Sequence, residues 1–157
     1  MKKLCLIFAA VLLFSCCLAA CDASKGMEYS FAYNGTSVRI GEDGKALADT
    51  LGAYIDYRES GSCGAEQSDK EFYYPGFRYD TVWSNGADRI VRIVLTDDSV
   101  ATPQGVRIGD AKSAVVTAYG DSYTETADGS LVYTDGVTKL MFGIRDDVVT
   151  AIHYTQA

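Results

Sequence analysis

Cys63 and His153 are the two side chains in the body of this sequence best suited to nucleophilic or redox chemistry. Cys63 lies in the predicted flexible loop Gly61-Ser62-Cys63-Gly64. A reactive thiol needs a pKa lowered by a nearby cation or helix N-terminus, and a catalytic thiol also needs a base. The sequence contains one histidine, and nothing in it brings His153 close to Cys63. Cys63 is therefore a candidate thiol, and a cell-envelope enzyme or thiol redox sensor is the alternative function.

Carboxylate pairs are the other candidates for chemistry, because their oxygens could hold Ca²⁺. Asp97-Asp98 and Asp146-Asp147 fall in predicted loops, but they lack the spacing of a calcium-binding loop, and turns favour Asp in any case. A single His153 without ligands at metal-binding spacing is a poor transition-metal site. No nucleophile elbow, zinc-protease motif or P-loop occurs. The sequence thus predicts no catalytic residue, no metal site and no cofactor, and a protein that is not an enzyme.

The N-terminus carries a second kind of chemistry, covalent lipidation. Lys2-Lys3 precede an apolar run from Leu4 to Leu18, which is the order of charge and hydrophobicity in a secretory signal. The following Ala19-Ala20-Cys21 resembles the lipobox of bacterial lipoproteins. This resemblance implies a diacylglyceryl group on Cys21, removal of residues 1–20 as a signal peptide, and a lipidated tether over residues 21–27. Acyl chains contribute about 0.8 kcal/mol per buried CH₂, which anchors a protein firmly.

Charge and cysteine content narrow the possible partners. The net charge of the chain is −7, and loss of Lys2 and Lys3 leaves 12 basic against 21 acidic side chains, a net charge of −9. Nucleic-acid binding and electrostatic attachment to anionic lipid both need clustered basic residues, so this composition argues against them. Of the five cysteines, only Cys63 is left after processing and acylation, which excludes an intrachain disulfide.

An internal repeat predicts the architecture. Val38-Arg39-Ile40-Gly41 recurs as Val106-Arg107-Ile108-Gly109, and a glycine, Gly52 or Gly120, closes each copy of the window. Such a duplication indicates two similar units. We assign residues 28–99 to repeat unit 1 and residues 100–157 to repeat unit 2.

Residue periodicity predicts the elements of each unit. Asn34-Gly35 between alternating runs predicts a hairpin over residues 29–40. Apolar residues at helical spacing predict a short helix after Gly41 and after Gly109, the second capped by Asp110. Strands are predicted from alternation and β-rich composition: Glu71 to Tyr74, Phe77 to Trp83, Arg89 to Leu95, Ser130 to Thr134, Thr138 to Ile144 and Val148 to Thr155. The expected fold class is α+β, with two tandem repeats of a helix plus a three-stranded meander, and helices packed on one face of one or two antiparallel sheets.

Each repeat starts with Val-Arg-Ile-Gly and an acidic or polar stretch, then continues with a helix, a glycine and three strands. It resembles the repeat of the SmpA/BamE lipoproteins and of the β-lactamase inhibitory protein, which carries it in tandem. The motifs at Tyr74 to Phe77, Leu95 to Asp98 and Thr102 to Gly105 resemble tandem-repeat lipoproteins of Gram-positive gut anaerobes. The resemblance implies protein binding by a sheet surface. No residue matches the contact loops of the inhibitory protein, so none is carried over.

Aromatic residues are the remaining signal. Eleven Tyr, six Phe and one Trp concentrate in the predicted strands. Because successive strand residues face opposite ways, Phe72-Tyr73-Tyr74 must place aromatic rings on both sheet faces. We select Tyr73, Tyr79 and Trp83 as a candidate binding surface, although tyrosine is also an ordinary strand former. The predicted loop over residues 53–70, where unit 1 is longer than unit 2, could contribute to this surface.

Together these features predict a lipoprotein anchored to the extracytoplasmic face of the cell membrane through Cys21. The expected activity is non-enzymatic, as a protein-binding or scaffold module. A protein partner is predicted, and nucleic acid is not.

Overall fold

The computed structural model describes residues 28–61 and 68–157. In chain order the strands and helices are β1 Phe31–Tyr33, β2 Thr36–Val38, α1 Gly44–Leu51, β3 Asp56–Gly61, β4 Ser68–Tyr74, β5 Phe77–Ser84, β6 Ala87–Leu95, α2 Lys112–Tyr119, β7 Thr124–Glu125, β8 Leu131–Thr134, β9 Thr138–Arg145 and β10 Val148–Gln156. No helix in these two ranges is long and apolar enough to cross a bilayer.

Eight of these strands form a single antiparallel sheet in the order β3-β4-β5-β6-β10-β9-β8-β7, and β1 and β2 form a separate hairpin. At the centre of the large sheet β6, the last strand of the first half of the chain, pairs with β10, the last strand of the second half. Ile152 pairs with Leu95 and Thr155 pairs with Arg92. The sequence left open whether there is one main sheet or two, and this pairing makes it one.

The predicted α+β class, with two repeats of a helix and a three-stranded meander, is wrong. The described residues are 13% helical and 49% strand, so the fold is mostly β. Each helix has only eight residues. Strand β3 lies inside the predicted loop 53–70, and β7 is also additional, so each half of the large sheet has four strands. The part of that loop at residues 62–67 lies outside the described residues.

Short-range signals predict the turns better than they predict the fold class. Asn34 and Gly35 have φ values of 49° and 80°, as a hairpin turn of this type requires, and the predicted hairpin is confirmed. Asp43 caps α1 by accepting hydrogen bonds from the backbone N–H groups of Lys45 and Ala46. The predicted cap Asp110 is wrong, because α2 begins after Ala111 and Asp110 accepts a hydrogen bond from the Arg107 backbone instead.

The core lies between one face of the large sheet and a layer made of α1, α2 and the β1–β2 hairpin. The Tyr79 hydroxyl donates to the Gly44 carbonyl at 2.8 Å, and the Tyr133 hydroxyl donates to the Gly120 carbonyl at 2.9 Å. Phe31 brings the hairpin onto the same face, where its ring centroid is 4.8 Å from that of Phe77. Tyrosines on the sheet therefore tie the start of α1 and the end of α2 to it.

Strand alternation puts the remaining strand residues on the opposite face, which we call the outer face. None of the described helices, nor the hairpin, packs on it. Residues such as Tyr73, Arg78 and His153 alternate with core residues and so belong to this face. The outer face is an ordered surface of the sheet that none of the described helices covers.

Gly44 at the start of α1 provides a test of the packing. A Cβ at this position would clash with the Thr81 methyl group and would lie 3.2 Å from the Tyr79 ring. Helix propensity alone predicts that Gly44→Ala stabilises the protein by up to about 1 kcal/mol. We expect the opposite, a loss of about 1–3 kcal/mol in the free energy of unfolding, because the site has no room for the extra methyl group.

The control is Gly61→Ala, where a Cβ has no neighbour within 4 Å. Urea unfolding of both variants measures the difference. A Gly44→Ala protein as stable as the wild type would contradict the close contact between α1 and the sheet.

Candidate binding surface

The sequence-predicted site residues occupy different places. Cys21, with the whole predicted signal peptide and tether, and Cys63 lie outside the described residues. Tyr79 is fully buried in the core, so it is not part of an exposed surface. Trp83 is 41% exposed, but alternation places it on the same side of β5 as Tyr79, opposite Asp88 of β6. Of the three predicted aromatic residues, only Tyr73 belongs to the outer face.

Tyr73 is held between two guanidinium groups. The Cζ atoms of Arg58 and Arg78 lie 4.9 and 5.7 Å from its ring centroid. The Tyr73 hydroxyl donates to a Glu71 carboxylate oxygen at 2.6 Å. This hydrogen bond raises the pKa of Tyr73 and lowers the pKa of Glu71. A ring stacked against two cations and tied at its tip has little rotational freedom left.

Ion pairs extend this arrangement across three strands. Arg78 Nη1 lies 2.9 Å from a carboxylate oxygen of Glu71 and 2.9 Å from one of Asp80. The second Asp80 oxygen accepts from Arg92 Nε at 2.6 Å. Asp80 is only 6% exposed, so its charge depends on both arginines for compensation. The arginine cluster, as we call it, consists of Arg58, Glu71, Tyr73, Arg78, Asp80 and Arg92.

His153 lies at the centre of the outer face. Its neighbours in the chain, Ile152 and Tyr154, are fully buried, so strand alternation directs His153 away from the core. Burial, together with the positive charges of Arg92 and Arg78, lowers the pKa of His153, while Asp80 opposes the shift. His153 is therefore neutral at neutral pH. No group of three or more His, Cys, Asp or Glu able to hold a metal occurs in the described ranges.

The other half of the outer face is apolar at its centre, with Lys139 and Arg145 towards the two ends of β9. Alternation from the buried residues Leu131, Phe142 and Ile152 places Val132, Met141 and Ala151 on it, each half-buried. They are adjacent across strands, since Val132 pairs with Met141. The apolar half, as we define it, consists of Val94, Val132, Met141, Gly143 and Ala151.

The two halves of the outer face differ at corresponding positions. Val132 precedes the buried Tyr133 as Tyr73 precedes the buried Tyr74, and Met141 precedes Phe142 as Arg78 precedes Tyr79. Aromatic residue type alone indicated Tyr73, Tyr79 and Trp83, and it contained no sign of the arginine cluster or the apolar half. Both could have been found in the sequence by aligning the two units and looking for outward-facing positions at which they differ.

Comparisons with known proteins add little to this geometry. No family model matches the chain, and no curated protein matches it. A cysteine-rich secretory protein from Staphylococcus aureus is similar in structure, with a TM-score of 0.45 and 13% sequence identity. The match covers 74% of this chain and 43% of that protein, so the chain spans less than half of that protein's length.

The pH dependence of stability tests the environment of His153. Because burial lowers the pKa of His153 below its ordinary value of 6.5, the unfolded chain takes up a proton first as the pH falls. The contribution of His153 to stability is therefore lost as the pH drops below 6.5 towards the folded-state pKa, and it is unchanged above 6.5. We expect His153→Gln to remove this part of the pH dependence, as measured by urea unfolding between pH 5 and 8.

A direct titration provides the control. His153 is the sole histidine of the chain, so its imidazole NMR signals are unambiguous. An imidazole pKa at or above 6.5 in the folded protein would contradict the half-buried, arginine-flanked position of His153.

Proposed function

We propose that the protein is a lipoprotein anchored through Cys21 to the extracytoplasmic face of the cell membrane, where it acts as a non-enzymatic protein-binding or scaffold module. The observation that carries the binding proposal is the outer face: a broad, ordered sheet surface with no described element packed on it. Its side chains, including arginine, tyrosine and methionine, are types that are enriched at protein interfaces.

Order in the free protein supports this use of the surface. Arg78, Tyr73 and Asp80 are fixed by ion pairs, stacking and hydrogen bonds before any partner arrives. A partner that binds such groups loses less side-chain entropy than one that must first order flexible residues. The apolar half adds area whose burial is favourable at about 25 cal/mol per Å².

The lipid anchor is tested by Cys21→Ser. Without the thiol no diacylglyceryl group is attached, so we expect the variant to leave the membrane fraction and to appear in the soluble or secreted fraction. Cys63→Ala is the matched control and is expected to stay with the membrane. Persistence of Cys21→Ser in the membrane fraction would contradict lipidation at this position.

The binding face is tested by substitutions that keep the core intact. Tyr73→Ser and Met141→Ser each remove an outward side chain, one from each half of the face. We expect either change to reduce capture of the native partner from chemically cross-linked envelopes by about five-fold or more, as expected for contacts worth more than 1 kcal/mol. Partner capture is quantified by mass spectrometry.

Thr117→Ala is the control, because Thr117 is exposed on α2, on the other side of the sheet. Cys63→Ala separates the thiol hypothesis from the binding hypothesis. Loss of capture in Cys63→Ala, with full capture by Tyr73→Ser and Met141→Ser, would refute the proposed binding function.

A further inference from the structure

We infer that the partner of the outer face is an acidic protein segment with interspersed apolar residues. Its carboxylates would meet the arginine cluster, and its apolar side chains would cover the apolar half. This inference rests on the proposed function, since it names the chemistry of the partner that the same surface binds.

The first support is a separation of charge between the two sides of the protein. Residues 28–61 and 68–157 contain 11 Lys or Arg and 19 Asp or Glu. By strand alternation six of these basic residues and four of the acidic ones lie on the outer face, a net charge of +2: Arg58, Arg78, Arg89, Arg92, Lys139 and Arg145 against Asp56, Asp69, Glu71 and Asp80. The other described residues then carry 5 basic and 15 acidic groups, a net charge of −10.

This separation orients an approaching partner. An acidic segment is repelled by most of the protein and attracted by the outer face, so charge complementarity selects this surface. A basic partner would be directed to the opposite side, where the helices lie. The chain as a whole is acidic, so its net charge would repel an acidic partner. The preference of the outer face for an acidic partner therefore comes from how the charges are arranged on the surface.

The second support is the geometry of the arginines. The side chain of Arg92 is 49% exposed and that of Arg58 is 64% exposed, although both contact carboxylates of the protein. A guanidinium group has five N–H donors, so each can donate to a further carboxylate while it keeps its internal partner. Asp80 and Asp56 hold these groups in place without using all their donors.

The apolar half decides between a protein segment and a simple polyanion. Val94 pairs with Arg78 of the arginine cluster, and Met141 and Val132 continue the surface beyond His153 on the next strands. A polyphosphate would leave these apolar side chains uncovered. A net charge of about +2 is also weak for polyphosphate or anionic lipid, since binding to such polymers depends on many unpaired cations. A polypeptide can present carboxylates and apolar side chains on neighbouring residues, so one segment can contact both the arginine cluster and the apolar half.

His153 adds no charge of its own to the centre of the outer face at neutral pH. The charged groups that face it are Arg92 and Arg78 on one side and Asp80 nearby, and its own imidazole is neutral. The centre of the face can therefore be covered without burying a charged imidazole, and binding at neutral pH depends on the arginines.

Fluorescence anisotropy tests the inference with the acylated full-length protein in detergent micelles. The probes are labelled 12-residue peptides that alternate Leu with Glu, Lys or Ser. We expect the Glu peptide to bind at least about ten-fold more tightly than the Lys peptide, and its affinity to fall about five-fold or more in 0.5 M NaCl. Arg92→Glu should weaken binding at least about five-fold, the neutral Arg92→Gln less, and Met141→Ser should also weaken it.

Arg107→Glu is the charge-matched control, because Arg107 belongs to the segment before α2 and not to the sheet. Equal binding of the Glu and Lys peptides would overturn the inference, as would an Arg92→Glu variant that binds like the wild type. Tighter binding of polyphosphate, or of phosphatidylglycerol added to the same micelles, in competition with the Glu peptide would identify a phosphate ligand and overturn it as well.

The proposed function can survive failure of this inference. If the Glu peptide does not bind, while Tyr73→Ser and Met141→Ser still reduce capture from envelopes, the surface binds protein of another chemistry. If neither substitution reduces capture, the binding function itself is refuted.

Discussion

The antiparallel pairing of β6 with β10 is the constraint on which the rest of the structure depends. It joins four strands from each half of the chain into one sheet, with Ile93 and Leu95 facing the same core as Ile152 and Tyr154. In this shared sheet α1, α2 and the β1–β2 hairpin all pack on the same side. The other side is left as a continuous surface, and its composition is free to differ between the halves.

The two faces of the sheet follow different physical rules. The covered face is filled by large apolar and aromatic side chains such as Phe77, Tyr79 and Phe142. The size and shape of these side chains are constrained by close packing in the core. The outer face carries opposite charges in register across strands, where Asp80 pairs with Arg92 and Glu71 pairs with Arg58. Cross-strand neighbours of this kind stabilise a sheet and also fix the side chains that a partner would meet.

Local sequence signals predicted much of the chain correctly. The hairpin at Asn34-Gly35, the helix-ending glycines Gly52 and Gly120, and the six predicted strands all occur. These features depend on backbone conformation and alternation, which nearby residues determine. β3 escaped prediction because Asp56–Gly61 is largely exposed and polar at the sheet edge, so it has no apolar alternation. Because β3 and β7 add to the predicted strands and each helix has only eight residues, the share of residues in strands exceeds the share in helices.

The binding surface was harder to predict, because it depends on tertiary register. Tyr79 and Tyr73 look alike in sequence, but pairing of Phe72 with Tyr79 and of Tyr73 with Arg78 places them on opposite faces. The N-cap of α2 is Ala111, one residue later than the predicted Asp110, whose carboxylate accepts a hydrogen bond from the Arg107 backbone. The face on which a side chain lies depends on contacts between segments that are distant in sequence. Composition alone does not predict such contacts.

The central claim, that the outer face is where a protein partner binds, is tested most directly by site-specific photo-cross-linking in intact cells. A photoreactive residue is placed at Val94 on the outer face and, in a second strain, at Thr117 on α2. We expect cross-links to a discrete protein from Val94 and none above background from Thr117. Cross-links from Thr117 alone would contradict the claim, because the partner would then lie on the helix side of the sheet.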